Sequence, residues 1–228
     1  MPQIEHIEAV IRAKGFLLRG GFHPEPDDQV PFLADGRQAQ TLILIGNAGP
    51  AMWQAFSAAR QSNHEKDPLN AFTRKVVIEI ATDHGATALF PFDGPPYLPF
   101  QRWAQRADAV HISPIGLLIH PDFGLWHAYR GALAFADRLQ LPPADCRPSP
   151  CISCYERPCL KACPVNAFQR DGYDVTSCAR HIVLVGGEAC RSRGCLARHS
   201  CPVGLSFAYE EAQATFHMRA FLRARQDS

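Results

Sequence analysis

The residues with the most chemistry in this chain are nine cysteines, all of which fall between Cys146 and Cys201, with none in the first 145 residues. Thiolate sulfur is a soft ligand that suits zinc and iron–sulfur clusters. Cys151, Cys154, Cys159 and Cys163 form one run that ends on Pro164, while Cys178, Cys190, Cys195 and Cys201 form a looser set that ends on Pro202. In bacterial ferredoxin runs, three closely spaced thiolates hold one [4Fe–4S] cluster, and the fourth, ahead of a proline, reaches the other. The same crossed wiring here assigns Cys151, Cys154, Cys159 and Cys201 to one cluster and Cys163, Cys178, Cys190 and Cys195 to a second. The second gap in the first run holds four residues where the standard run has two, so Arg157-Pro158 must bulge outward if Cys159 is a ligand.

Four thiolates also suit zinc, and spacing alone leaves that open. The paired Cys-Pro endings favour clusters, because two independent zinc knuckles would not need them. Disulfide scaffolds are mostly short secreted chains, and the start of the chain, Met-Pro-Gln-Ile-Glu-His, lacks a basic region followed by an apolar one. Cys146 reads as an unligated connector thiol, and as the fallback ligand should Cys178 not serve.

The elements that must position these residues are mixed. Ile4, Ile7, Val10 and Ile11 recur at helical spacing up to Gly15. Thr41 to Gly46 reads as a buried strand, turning at Gly46 to Pro50 into a helix through about Gln61. Helices are expected over Pro68 to Asp83 and Pro99 to Ala107, and strands over Ala86 to Phe90, Ile115 to Ile119 and Trp126 to Phe135. This mixture implies an α+β sheet domain over about residues 1–140. Residues 141–150 carry four prolines and read as a connector. The two-cluster module then spans 151–205, and Ser206 to Arg225, in the stretch 206–228, is a terminal helix.

Bulk properties narrow the function. A net charge of +1 over 228 residues gives no basic field for nucleic acid. Mean hydropathy is −0.14, and no stretch approaches the roughly 20 apolar residues of a membrane helix. A cytoplasmic protein with neither nucleic acid nor membrane as partner is expected.

Outside the cysteines, the most distinctive run is Ile119-His120-Pro121-Asp122-Phe123-Gly124-Leu125-Trp126-His127-Ala128-Tyr129-Arg130-Gly131. It resembles the Ile-His-Pro, Phe-Gly, tryptophan, Arg-Gly segment of cobalamin-processing proteins of the MMACHC (CblC) type. Phe22-His23-Pro24-Glu25 is similar to that family's Phe-His-Pro-Glu stretch. A cobalamin domain of this kind followed by a two-cluster ferredoxin module is similar to epoxyqueuosine reductase and, more remotely, to corrinoid reductive dehalogenases. Asp174-Val-Thr-Ser-Cys178 resembles the reductase's single-cysteine segment. Departures are Gly124-Leu125 where the MMACHC type has two glycines, a shorter segment before His120, no matching acidic proton donor, and no helical-repeat tail, so the transfer-RNA reaction is not expected.

The resemblance implies a nitroreductase-related sheet domain that binds cobalamin with its lower base displaced. A corrin ring needs close backbone approach, aromatic walls and fixed donors. Gly124 and Gly131 offer the first, Trp126 and Tyr129 the second and Arg130 the third, with Arg130 the residue expected to act at the upper face of cobalt. His120 is included among the pocket residues, although before Pro121 it reads first as a turn histidine. Each has a bland alternative: Trp126 and Tyr129 serve equally as core, and His23 as a turn residue. The expected activity is a corrinoid reductase whose clusters pass single electrons to cobalt, removing the upper ligand or lowering its oxidation state. Its rivals are a corrinoid-dependent reductase of an organic substrate and a plain ferredoxin-type electron carrier. Without a Gly-x-Gly-x-x-Gly fingerprint, electrons are expected from a flavodoxin, ferredoxin or flavin reductase.

Overall fold

The computed structural model describes residues 2–60 and 66–226. In chain order its elements are α1 (Pro2–Ala13), β1 (Leu17–Phe22), β2 (Thr41–Ala48), α2 (Ala51–Ala59), α3 (Pro68–Asp83), β3 (Thr87–Leu89), α4 (Phe100–Ala107), β4 (His111–Ile112), β5 (Leu118–Ile119) and β6 (His127–Phe135). The cysteine region adds α5 (Pro158–Lys161), β7 (Phe168–Gln169), β8 (Gly172–Tyr173), α6 (Val175–Val183), α7 (Glu188–Arg193), α8 (Leu196–His199) and α9 (Glu211–Gln226). The chain divides into two compact units, Met1–Ala109 with His127–Arg147, and Val110–Trp126 with Pro148–Ser228.

The first unit is built on an antiparallel sheet of order β1-β2-β6-β3. Every residue of β2 is buried, which explains its unbroken apolar run: a central strand covered on both faces has no polar side to alternate with. Helices α1 and α4 lie against β1 and α3 against β6. Ile7, Ile11, Val77 and Ile80 enter the core at helical spacing. The expected helix after Pro50 ends at Ala59, and its predicted end at Gln61 lies outside the described residues. Strand β1 was not expected, since the sequence Leu-Leu-Arg-Gly-Gly-Phe hides it behind two glycines.

The second unit gathers short helices and hairpins. The strand expected over Ile115 to Ile119 shrinks to β5, because Ser113 N–H donates to Leu117 O (2.9 Å) and closes a turn over the preceding residues. Paired with β4, it belongs to the cysteine-bearing unit rather than the sheet. The units therefore cut across the boundary expected at residue 140. The terminal helix starts at Glu211 and not at Ser206, a single helical turn occupying Leu205–Phe207 ahead of it.

Candidate functional site

Eight of the nine cysteines line two cavities of the second unit, four to each. Cys151 and Cys154 lie in the turn that follows Pro150, Cys159 lies in α5, and Cys201 follows α8; together they line the first cavity. The insertion before Cys159 is absorbed by Arg157, which takes a left-handed conformation (φ 41°, ψ 56°), after which Pro158 opens α5. Proline suits that position because the first N–H of a helix has no intrahelical partner. Ile115, Ile119 and Leu125 pack with Cys159, Cys201 and Ala197 into an apolar cluster around this set.

Cys163, Cys178 of α6, Cys190 of α7 and Cys195, which precedes α8, line the second cavity, of about 440 Å³. Asp174 caps α6 by accepting from Ser177 N–H (2.9 Å) and from the Ser177 hydroxyl (2.6 Å). The hydroxyl of Tyr173 is hydrogen-bonded to the Cys178 sulfur. The N–H of Ala167 donates to Cys163 Sγ at 3.3 Å. Cys146 is exposed and lines neither cavity.

Burial pushes up the thiols of Cys151, Cys159 and Cys201 and those of Cys178, Cys190 and Cys195, and neighbouring cysteines of the same set push each further. Backbone N–H groups oppose this, Val203 toward Cys201, Leu196 toward Cys190, and Ala197 with Arg198 toward Cys195. Thiolates crowded in a poorly solvated place repel one another, so their anionic forms call for a positive core among them. That donor chemistry fits a thiolate-held iron–sulfur cluster in each cavity. Among the described residues, no group of three or more His, Cys, Asp or Glu side chains is placed to hold a metal ion.

The residues expected around a corrin ring fall in both units. In the second unit, His120 is buried and its Nδ1 accepts from the N–H groups of Asp122 (3.0 Å) and Phe123 (3.3 Å), the turn-histidine arrangement. Gly124 (φ +56°) packs against this unit's own backbone: a Cβ there would lie 1.9 Å from Val203 O. Trp126 is buried beneath the guanidinium of Arg198, 4.4 Å from its ring centre, with Tyr209 edge-on beside it. Arg198 also donates from Nε to Leu125 O (2.8 Å), tying the 110–126 segment to α8. Sequence reasoning missed Arg198, whose only signal is its place between Cys195 and Cys201.

In the sheet unit, Tyr129 donates to Asp108 Oδ2 (2.9 Å), which also accepts from Arg19 Nε (2.8 Å), and the Arg19 guanidinium lies over the Tyr129 ring. Burial holds the Tyr129 phenol far above its usual range, so it remains a protonated donor. This buried triad was also missed, because its members are 89 and 21 residues apart. A Cβ on Gly131 would meet Leu89 O and Val77 at 3.3 Å, so its smallness serves packing within the sheet unit. Ile45 pairs with Gly131 and Gly46 with Tyr129, leaving Arg130 as the extra residue of a β-bulge. Bulges re-aim a side chain; half-buried Arg130 donates from Nε to Asn47 Oδ1 (3.3 Å).

The chain thus has a mixed α/β fold with an antiparallel sheet. No family profile matches it, and no curated protein matches it. Solved structures do. A C. elegans B12-trafficking protein CblC, a homologue of human MMACHC, is similar at 15% identity with a TM-score of 0.52, over 97% of this chain and 96% of that one. Epoxyqueuosine reductase bound to a modified tRNA-Tyr stem loop is similar at 14% identity and a TM-score of 0.50, over 91% of this chain and 66% of that one. A selenomethionine-labelled epoxyqueuosine reductase gives 14% and 0.52, over 93% and 68%. At these identities the likeness is one of fold. Among the described residues, no helix is long and apolar enough to cross a membrane.

Proposed function

We propose that this protein is an iron–sulfur corrinoid reductase, in which two [4Fe–4S] clusters feed single electrons to cobalamin. The observation that carries the reading is the sorting of eight cysteines into two cavities of four, each set drawing its fourth member from the other sequence run. Cys151, Cys154, Cys159 and Cys201 would hold one cluster and Cys163, Cys178, Cys190 and Cys195 the other, as a ferredoxin-like module. The fold shared with a B12-trafficking protein and with epoxyqueuosine reductase supports a corrinoid as electron acceptor.

The residues of the chain then divide the work. The thiolates hold the clusters, and the N–H groups toward Cys163, Cys190, Cys195 and Cys201, with the Tyr173 hydroxyl on Cys178, tune their potentials by stabilising negative charge on sulfur. Arg130 presents fixed donors to an amide or upper-ligand group of the corrinoid, oriented by Asn47. Tyr129, held neutral against Asp108, keeps the adjoining strand in place. A bound corrinoid would supply a redox-active cobalt centre able to accept those electrons. The phenols of Tyr129 and Tyr173, both held above their usual range first by loss of solvation, stay protonated across the working pH range and take no part as bases.

The test is anaerobic reconstitution followed by metal and sulfide analysis, with about eight iron and eight sulfide per chain expected. Reduced, desalted protein is then mixed with cyano- and hydroxocobalamin in a stopped-flow spectrophotometer, and loss of the cobalt(III) spectrum is expected. Zinc without sulfide would overturn the cluster assignment. Intact clusters with no change in the cobalamin spectrum would leave a plain electron carrier.

A further inference from the structure

The two cysteine-lined cavities differ in size far more than two clusters of one kind require. Each is walled by four thiols, yet the first encloses about 20 Å³ and the second about 440 Å³. The surplus in the second has the size of a small-molecule site, roughly 300–1,000 Å³. Its remaining walls are mostly apolar and aromatic, and among the described residues no carboxylate lines it. Phe168 and Tyr173, from β7 and β8, stack at 5.0 Å with their planes 14° apart, and Tyr209 packs on His217 of α9 at 5.3 Å. Leu117, 43% exposed, and exposed Arg193 also line the cavity, so it reaches the surface.

Two buried nitrogens in this lining lack a hydrogen-bond partner. Trp126 is 2% exposed, and its indole N–H meets no acceptor. The Nε2 atom of His181, which donates in one tautomer, is buried without a partner as well. A buried indole N–H usually finds an acceptor, so these groups call for a ligand that carries acceptor atoms into an apolar room. The guanidinium of Arg198 is held 4.4 Å from the ring centres of both Trp126 and Tyr209, which fixes a positive charge in the same lining.

We propose that the second cavity binds a quinone beside the cluster of Cys163, Cys178, Cys190 and Cys195, and that the protein reduces it. A quinone is flat and uncharged, which suits apolar and aromatic walls, and its carbonyl oxygens accept from N–H groups such as that of Trp126. The inference rests on the cluster assignment proposed above and adds a second electron acceptor to the corrinoid. Each of the two reduced clusters gives up one electron and is oxidised. The ring takes up both electrons and two protons from water, so that its two C=O bonds become C–OH. Arg198 offers positive charge where negative charge builds on a carbonyl oxygen. Tyr173 both lines the cavity and is hydrogen-bonded to the Cys178 sulfur, which joins the ligand's wall to the cluster's ligand shell.

The probe is duroquinone, whose ring is fully methylated and does not alkylate the exposed thiol of Cys146. It is titrated by calorimetry into the reconstituted, oxidised full chain, and mixed in stopped flow with protein reduced by dithionite and desalted. Saturable binding is expected, with reoxidation of the clusters and one hydroquinone formed for every two electrons delivered. Met218→Trp, which fills the cavity from α9, should weaken binding about tenfold or more by taking the ligand's room. Trp126→Phe should weaken it about threefold to tenfold, the net worth of one hydrogen bond. Iron and sulfide should stay at wild-type levels in both, and if Met218→Trp loses iron, Trp126→Phe decides alone. No binding to the wild type up to about 1 mM, or wild-type affinity in the variants that keep their iron, would overturn the quinone site and leave the clusters in place. Displacement of duroquinone by hydroxocobalamin would also overturn it, assigning the cavity to the corrinoid. Protein that takes up no iron and sulfide would instead strike the cluster reading on which the site rests.

Discussion

Replacing Gly124 with alanine separates two accounts of that residue. As part of a corrin pocket, Gly124→Ala would weaken cobalamin binding and leave the rest intact. The structure says otherwise. A left-handed backbone (φ +56°) costs a residue with a Cβ roughly 1–2 kcal/mol. The new methyl would lie 1.9 Å from Val203 O and 2.6 Å from Val203 C, both backbone atoms that no rotamer change can move aside. Relieving that overlap adds roughly 1–3 kcal/mol. The sum, about 2–5 kcal/mol, is a large part of the roughly 5–15 kcal/mol that holds an ordinary domain folded. Val203 follows Cys201 and Pro202, so the strain falls on the segment that presents Cys201 to the first cavity. The expected outcome is a lowered urea midpoint by circular dichroism and, after anaerobic reconstitution, about half the wild-type iron, with the cluster of Cys163, Cys178, Cys190 and Cys195 surviving. A variant with full iron, wild-type urea midpoint and lost cobalamin binding would refute this reasoning and return Gly124 to a ligand pocket.

Asp108→Ala should destabilise the sheet unit by about 3–5 kcal/mol, because it leaves Arg19, whose side chain is 2% exposed, as a buried cation without its carboxylate; a loss under about 1 kcal/mol in chemical denaturation would show the pair to be dispensable. Cys201→Ser should perturb the cluster of Cys151, Cys154 and Cys159 and leave the other recognisable by paramagnetic resonance, and damage confined to the other cluster would break the crossed wiring. Tyr173→Phe removes a hydrogen bond to the Cys178 sulfur and should shift one of two cluster potentials to more negative values in a redox titration, without loss of iron; no shift in either would remove Tyr173 from the tuning role. Arg130→Ala should slow removal of the upper ligand from cyanocobalamin while iron content and cluster spectra stay unchanged, and an unaltered rate would take Arg130 out of the site.

How far the sequence reaches differs between thiols and sheet. Cysteine spacing is local: the two runs, each with proline after its last member, can be read directly from the sequence, whereas it is the fold that lines the first cavity with Cys201 beside Cys151, Cys154 and Cys159, although 38 residues separate it from Cys163. Strongly periodic elements were equally legible, since α1, α3 and the buried run of β2 follow from side-chain spacing alone. What the sequence could not show was set by partners distant along the chain. The Arg19–Asp108–Tyr129 triad exists only because β1, the end of α4 and β6 meet. The bulge that singles out Arg130 is a matter of register between β2 and β6, which no single strand encodes. The same limit governs the Ile119 to Gly131 motif: its residues read as one pocket, but the chain passes from one compact unit to the other at Trp126–His127. Gly124 then answers to Val203, Trp126 to Arg198 and Tyr129 to Asp108, because packing in three dimensions, not proximity along the chain, decides what each side chain touches.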